Sequence, residues 1–465
     1  TPAGQDREFQ SLFFLCHNSV AQKALDVLQE KGFSRGGPKG FTGTAAENDR
    51  RLAEALEDNA RRTGELKAQA AGYAGSLQDL RQCADRAGQE VQREEAKERL
   101  RDTGETFYLT GWFPAEDEAA LKTLLDGYAC AWESEEPAKE EYPEVPVKLK
   151  NNWFTGPLSM VTEMYSLPAY GSLDPNPLMA PFFVLFYGMM LADMGYGLLM
   201  VIISVVVMKK LKPKGPTTRY MFPLLGLCGV STFFWGALTG GFFGDFIPQI
   251  LKLVNPASTF TMPALFSPLD DALSVLLGSL ALGLVQIFTG MAINIYKKIK
   301  RGEVMDAVCE EVAWYAVFFC IGIGALTSKW KYALLAALAI LVLTQGYGRK
   351  GILGKLMGIG GSLYNNITGY FSDILSYSRL MALMLAGAVI AQVFNTLGVI
   401  TGNIFSFLLI SIIGNALNFA LNLLGCFVHD MRLQCLEYFS RFYEDGGRPF
   451  QPLNIETKFV NIGKE

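Results

Sequence analysis

The chain has 465 residues, of which 50% are hydrophobic and only 18% charged, and its net charge is −4. That balance is too apolar for an ordinary soluble protein of this size, and so small a net charge gives no reason to expect a nucleic-acid partner. Eight cysteines stand singly without a CxxC, and His17 and His429 are the only histidines, so no disulfide framework, metal site or cofactor is expected.

The average hides a split. Residues 1–150 are rich in Glu, Lys, Arg and Asp, whereas 177–443 carry nearly all the long apolar runs. The expected fold is mainly α: a polytopic helical membrane domain of about eight transmembrane helices, preceded by a cytosolic coiled-coil arm with small α/β lobes. Thr1 is not a natural start and no signal peptide precedes the polar part, so the N-terminus reads as truncated or processed.

Taken in order, 1–44 reads as an incomplete distal α/β lobe, with a strand at 9–16 and a helix at 19–31 ended by Gly32. Residues 45–104 form a long polar helix. Leu52, Leu66, Tyr73, Leu80 and Ala87 fall on one heptad position, and Leu56, Ala70, Leu77, Ala84 and Val91 on the other. Such a seam needs a partner helix, and 1–44 hold none long enough, so the partner comes from missing sequence or another chain. Residues 105–150 form a proximal lobe (strand 107–114, helix 115–128, strand 129–133) and a charged, proline-broken linker. An interfacial segment follows at 151–176, and 177–465 make up the membrane domain with a cytoplasmic tail.

Hydropathy and the placement of Lys and Arg divide that domain. A tight hairpin of two short spans occupies 178–208, because a single span would export the basic loop 209–219. Further spans are expected at 221–243, 272–296, 307–327 and 332–346, with an outside loop at 244–271 and Lys329 and Lys331 in an outside turn. Arg349, Lys350 and Lys355 then lie inside, a seventh span carries Arg379, and an eighth begins near Ile404 and runs as far as Tyr443. Both ends face the cytoplasm in this scheme.

Arg379 is the most telling residue. It sits in a helical run with some eighteen uncharged residues after it, and a guanidinium cannot shed its proton to escape a low dielectric. Asn365, Gly369, Ser372, Ser376 and Arg379 recur at spacings of four, three, four and three, which is one helix face. Asn415, Asn418, Asn422, Gly425, His429 and Arg432 make a second stripe on the last span. Helix-to-helix glue explains any one of the amides; two polar stripes, each ending in an arginine, point to an ion pathway. Asp193 either caps the hairpin turn, the preferred reading, or belongs to a vestibule. Glu310 and Glu311 are expected to be solvated or paired with Lys297 or Arg301, with proton access as the lesser alternative. No phosphate loop, GxSxG, HExxH or DxDxDG occurs, so no catalytic residue is expected.

Four separated stretches resemble subunit I (subunit a) of bacterial and archaeal V-type (A/V-type) rotary ATPases. They are FYLTGWFP with PVKLKNN, DPNPLMAPFFVLFYGMMLADMGYGLLM, DILSYSRLMALMLAG, and FVHDMRLQCLEYFSRFYEDGGRPFQPL. The resemblance implies a multi-pass cell-membrane subunit that is not itself catalytic and that provides two ion half-channels against a ring of c-type proteolipid subunits. It implies that Arg379 faces the ring carboxylates, that Arg432 corresponds to the family's second arginine on the last span and His429 to the polar position one turn before it, and that H⁺ or Na⁺ movement is coupled to rotation and to ATP hydrolysis or synthesis. Implied partners are the c-ring, peripheral-stalk subunits of the E/G type on the arm, a central-stalk d-type (C) subunit, and lipid. Asn365 and Asn422 stand where eukaryotic relatives carry glutamates. Competing readings are a stand-alone secondary ion transporter or channel with a regulatory coiled-coil arm, or a membrane-anchored scaffold. No internal repeat supports the first, and the second leaves Arg379, His429 and Arg432 without a role.

Overall fold

This computed structural model describes residues 2–5, 10–12, 16–33, 44–211, 216–255, 260–327, 330–345, 352–452, 457 and 459. The chain divides into two units, Thr1–Thr110 with Leu453–Glu465, and Gly111–Pro452.

In the first unit β1 (Pro2–Gln5) pairs antiparallel with β2 (Gln10–Leu12), and α1 (Ala21–Glu30) follows. The strand expected over 9–16 is observed at 10–12, and 13–15 lie outside the described residues. Helix α2 (Ala45–Gly72) begins on a capping box: the Glu47 amide donates to the Thr44 hydroxyl, and the Thr44 amide donates to the Glu47 carboxylate. A 3₁₀ turn at Tyr73–Ser76 separates it from α3 (Leu77–Glu98). The single helix expected here is therefore interrupted between Gly72 and Gly75, residues that each weaken a helix by about 1 kcal/mol. Leu52, Leu56, Leu66, Tyr73, Leu77, Leu80 and Val91 are exposed along it. Strands β3 (Arg101–Asp102) and β4 (Phe107–Tyr108) close a hairpin. The strand expected over 107–114 stops at Tyr108, because β3 offers only two residues to pair with.

The second unit opens with α4 (Glu118–Leu125); 129–133 are irregular rather than a strand, having no neighbouring strand among the described residues. Strand β5 (Pro146–Val147) lies parallel to β7 (Asp445–Pro449), which pairs antiparallel with β6 (Leu167–Pro168). The linker, the segment after α5 (Ser159–Tyr165) and the C-terminal end of the unit thus share one small sheet.

The rest is helical. A hairpin of α6 (Asn176–Leu191) and α7 (Met194–Val206) turns at Ala192, whose φ of 32° is left-handed, and at Asp193. Then come α8 (Pro216–Thr239), α9 (Phe246–Val254), α10 (Ala272–Lys300), α11 (Val304–Asp306), α12 (Ala313–Thr327) and α13 (Trp330–Gln345). The last four are α14 (Ile352–Ser376), α15 (Ser378–Ile400), α16 (Ile404–Arg432) and α17 (Phe439–Phe442). Among the described residues five stretches are long and apolar enough to cross a membrane: Thr218–Thr239, Ala272–Lys300, Val304–Gly324, Leu363–Ile400 and Ile404–Phe442. Asn176–Leu191 and Trp330–Val342 are shorter apolar helices. This is a mainly α membrane protein. The 39 residues from Ile404 to Phe442 span about 58 Å, well beyond the roughly 30 Å of a bilayer's hydrocarbon core.

The loop 244–271 holds a helix, α9, that hydropathy did not anticipate; Phe246 stacks on Phe407 of α16 at 5.3 Å. Positions 212–215 of the expected basic loop, Lys329, Arg349 and Lys350 lie outside the described residues, as does the side chain of Lys355. The core sits where α6 meets α8, α15 and α16 and where α10 packs on α15 and α17, with Met179, Phe183, Phe186, Met190, Ile287, Met291 and Tyr377 buried. Helices α7 and α8 touch at backbone distance, so a Cβ at Gly197 or Gly236 would strike the amide of Phe233 or Met194.

Candidate functional site

Helices α15 and α16 form an antiparallel hairpin joined at Thr401–Asn403, and the polar residues inside it fall into two groups. The first lies toward the 401–403 turn. Asn395 Nδ2 donates to Asp245 Oδ1 at 3.0 Å and to the Phe243 carbonyl at 2.8 Å, and Asn415 Nδ2 donates to Asn395 Oδ1 at 3.1 Å. The Tyr196 hydroxyl donates to Asn415 Oδ1 at 2.7 Å and accepts from Asn418 Nδ2 at 3.0 Å. Asn422 Nδ2 donates to Asn418 Oδ1 at 2.6 Å. The result is an unbroken chain, Asp245–Asn395–Asn415–Tyr196–Asn418–Asn422, drawn from α7, α15, α16 and the turn before α9. Buried amides need such partners. The sequence stripe identified Asn415, Asn418 and Asn422; it missed Asp245, Asn395 and Tyr196, which lie on other elements.

The second group surrounds Arg379. Its Nη2 donates to Glu437 Oε1 at 2.8 Å, with side-chain exposures of 21% and 6%. Arg441 pairs with Asp373 and lays its guanidinium over the Tyr370 ring, 4.2 Å from the centroid. The Tyr377 hydroxyl donates to Gln286 Oε1 at 2.8 Å, Gln286 Nε2 to Gln434 Oε1 at 2.6 Å, and Gln434 Nε2 to Asp430 Oδ1 at 3.2 Å. Among the described residues several buried atoms here have no hydrogen-bond partner: Arg379 Nη1, Glu437 Oε2, Arg441 Nε, Asp430 Oδ2 and His429 Nδ1. An apolar stretch separates the two groups. Asn422 and Asp430 are eight residues apart, about 12 Å along the helix, and the interval holds buried Cys426, Phe183 against Phe427, and the Tyr187 hydroxyl, which is spent on the Leu423 carbonyl at 3.0 Å.

The last stripe therefore leaves the buried face partway. Asn415, Asn418 and Asn422 are buried, but the face continues through Cys426, Asp430, Gln434 and Glu437, while His429 is half-buried and Arg432 exposed. Positions two apart on a helix point to nearly opposite sides, so Arg432 and Asp430 cannot share a face. A π-helical turn at Leu433–Tyr438 adds a further residue to the register. Charged residues within a long apolar helix were the available signal for Asp430 and Glu437; a stripe drawn through His429 and Arg432 passed beside them.

On α14, Asn365 and Ser372 are exposed and Ser376 is half-buried, alongside exposed Tyr364, Ile367, Phe371 and Leu375. Among the described residues nothing covers this face. Asp193 caps α7: its carboxylate accepts the amides of Gly195, Tyr196, Phe243 and Gly244 at 2.7–3.1 Å, holding the hairpin turn to the 243–244 loop. Glu310 and Glu311 sit in a π-helical turn (Ala307–Val312) and face Lys298 at 2.5 and 3.9 Å, and Asn294 donates to Glu311 at 2.8 Å. Glu310 is exposed, in line with the solvated alternative, whereas the partners expected in the other, Lys297 and Arg301, both bind Glu444, at 2.9 and 2.5 Å. Burial works against the Glu444 carboxylate, but hydrogen bonds from Lys297 and Arg301 outweigh it and hold its pKa below 4.5. No group of three or more metal-binding side chains occurs among the described residues.

A buried arginine–carboxylate pair beside a polar helix hairpin, in a domain of long apolar helices, belongs to an integral membrane protein. Sequence comparison specifies the kind. Residues 81–251 match the V-type ATPase 116 kDa subunit family. The A-type ATP synthase subunit I of Methanocaldococcus jannaschii is 31% identical over 408 residues, covering 80% of this chain and 58% of that protein. That of Thermococcus kodakarensis is 33% identical over 382 residues (79% and 57%), and the V-type ATP synthase subunit I of Borreliella burgdorferi 24% over 380 (76% and 61%). The chain belongs to the subunit I family of A/V-type ATPases, and it spans less than two thirds of the length of these relatives.

Proposed function

We propose that this chain is the ion-translocating stator subunit of a rotary A/V-type ATPase, bearing two ion half-channels and the arginine that faces a rotating ring of carboxylates. The observation that carries the reading is the division of the α15–α16 hairpin into two polar groups with an apolar interval between them, Arg379 lying in the second. One group would serve each side of the membrane. An ion, H⁺ or Na⁺, would enter one half-channel, neutralise a ring carboxylate and travel with the rotor through lipid. Near Arg379 the fixed positive charge favours the ionised carboxylate and so drives release into the other half-channel. The same charge opposes leakage between the two.

On this reading the exposed Asn365–Ser372 face of α14 meets the c-ring, and eight spans leave both ends of the membrane domain in the cytoplasm. The segment 45–104 acts as the stator arm between the lobes 1–44 and 105–150, with peripheral-stalk subunits of the E/G type on it and a d-type (C) subunit nearby. Asn415, Asn418 and Asn422 line one half-channel; Ser376, His429 and Arg432 lie near the other, with Glu310 and Glu311 toward its mouth. Asp193 supports the first as a helix cap. ATP-driven ion uptake by the full-length complex, reconstituted with its ring, tests this: Arg379→Ala should leave assembly intact and abolish uptake. Uptake persisting in that variant would overturn the reading in favour of a transporter with a structural arginine.

A further inference from the structure

Between α14 and α15 the helix breaks at Tyr377, where the Tyr377 amide donates to the Ile374 carbonyl at 3.1 Å and the Leu380 amide to the Tyr377 carbonyl at 3.0 Å. These bonds reach three residues back rather than four, so the chain tightens locally and its direction is open to outside constraint. Two ion pairs straddle the break. Asp373, before it, holds Arg441; Arg379, after it, holds Glu437. The polarity is reversed between them, and Glu437 and Arg441 are four residues apart on one helical segment, hence one turn apart on one face. Arg441 is fixed further by Tyr370 beneath its guanidinium and by α10 behind it, where a Cβ at Gly290 would come within 3.2 Å of the Arg441 Cβ.

We propose that Asp373 and Arg441 are positioning residues for Arg379: with Glu437 they clamp both sides of the break to one helical turn and so set where the Arg379 guanidinium stands. Without the Asp373–Arg441 pair, α14 keeps only its packing on α10, α13 and the π-helical turn at Leu433–Tyr438, with Tyr370 against Trp314 and Phe318. Arg379 is then tied by an ion pair on one side of the break only. The reversed polarity also keeps the four-charge cluster neutral, so that Arg379 is balanced within the chain before any ring carboxylate approaches. This inference rests on the reading of Arg379 as the stator charge.

The test uses the full complex with its ring and measures ATP-driven ion uptake per assembled complex for Asp373→Asn, Arg441→Gln, the double variant and Arg379→Ala. Each single change should lower uptake about tenfold or more, the scale on which a misplacement of roughly 1 Å is felt. The double variant should lose no more than the worse single, because residues acting as one pair are not additive. It is also charge-balanced, so it decides the matter if the single variants fail to assemble. Uptake like wild type in an assembled double variant, additive losses, or a loss explained wholly by poor assembly would overturn the proposal. If Arg379→Ala pumps, the underlying reading fails instead; if Arg379→Ala is dead while the double variant pumps normally, this inference alone fails.

Discussion

Arg379 and Glu437 meet at 2.8 Å between α15 and the π-helical turn that follows α16, and each keeps one buried polar atom without a partner. The arginine therefore carries its own counter-charge, and its Nη1 has no hydrogen-bond partner among the described residues. Removing one member of so buried a pair strands the other, at a cost of about 3 kcal/mol or more, whereas removing both costs less. Glu437→Gln should lower the apparent Tm of the purified complex more than the Arg379→Gln/Glu437→Gln double variant does. A double variant less stable than Glu437→Gln would show that the pair is not the relevant unit.

The Tyr196 hydroxyl joins Asn415 to Asn418. Tyr196→Phe keeps the ring and its edge contact with Phe243, 5.4 Å between centroids, while cutting the amide chain in the middle. The expected loss is about 1–3 kcal/mol for the buried amide atoms left unmade, together with slower ion uptake. Thermal melting and uptake on the same preparation check both, and unchanged uptake would remove the chain from the ion path.

Two glycines give a sharp contrast. A Cβ at Gly236 would strike the Met194 amide and the Asp193 backbone, whereas nothing lies within 4 Å of one at Gly278. Gly236→Ala should destabilise the α7–α8 contact by about 1–3 kcal/mol or more, the usual cost of overpacking. Gly278→Ala, in the second turn of α10, should be neutral or stabilising by up to about 1 kcal/mol. Expression level and Tm in detergent distinguish the two.

Glu444 gives a pH dependence of known sign. Its pKa lies below 4.5 because Lys297 and Arg301 bind the ionised form. The stabilisation it supplies is fully present above 4.5 and is lost as pH falls through the lowered folded-state value. Glu444→Gln should lower Tm at pH 7, and the gap from wild type should narrow as pH falls below 4.5. A gap that stays constant would mean that the carboxylate's charge is not what is used.

Much of this protein is legible from residue order alone. Long apolar runs cannot leave a helix's hydrogen bonds in lipid unmet, so composition determined where the helices lie and that the domain is a membrane one. A guanidinium in such a run demanded compensation, which marked Arg379 before any contact was known. The amide stripe was readable over Asn415–Asn422 because a helix repeats every seven residues closely enough for two turns.

What only the tertiary structure decided is which neighbours each face meets. The buried face of α16 passes through Cys426 to Asp430, Gln434 and Glu437, because that is where α6 and α10 press against it and a π-turn shifts the register. Arg432, on the other side, is left exposed. The pairings of Arg379 with Glu437 and of Arg441 with Asp373 join positions 58 and 68 residues apart. No local periodicity encodes such a distance; it follows from how the helices pack.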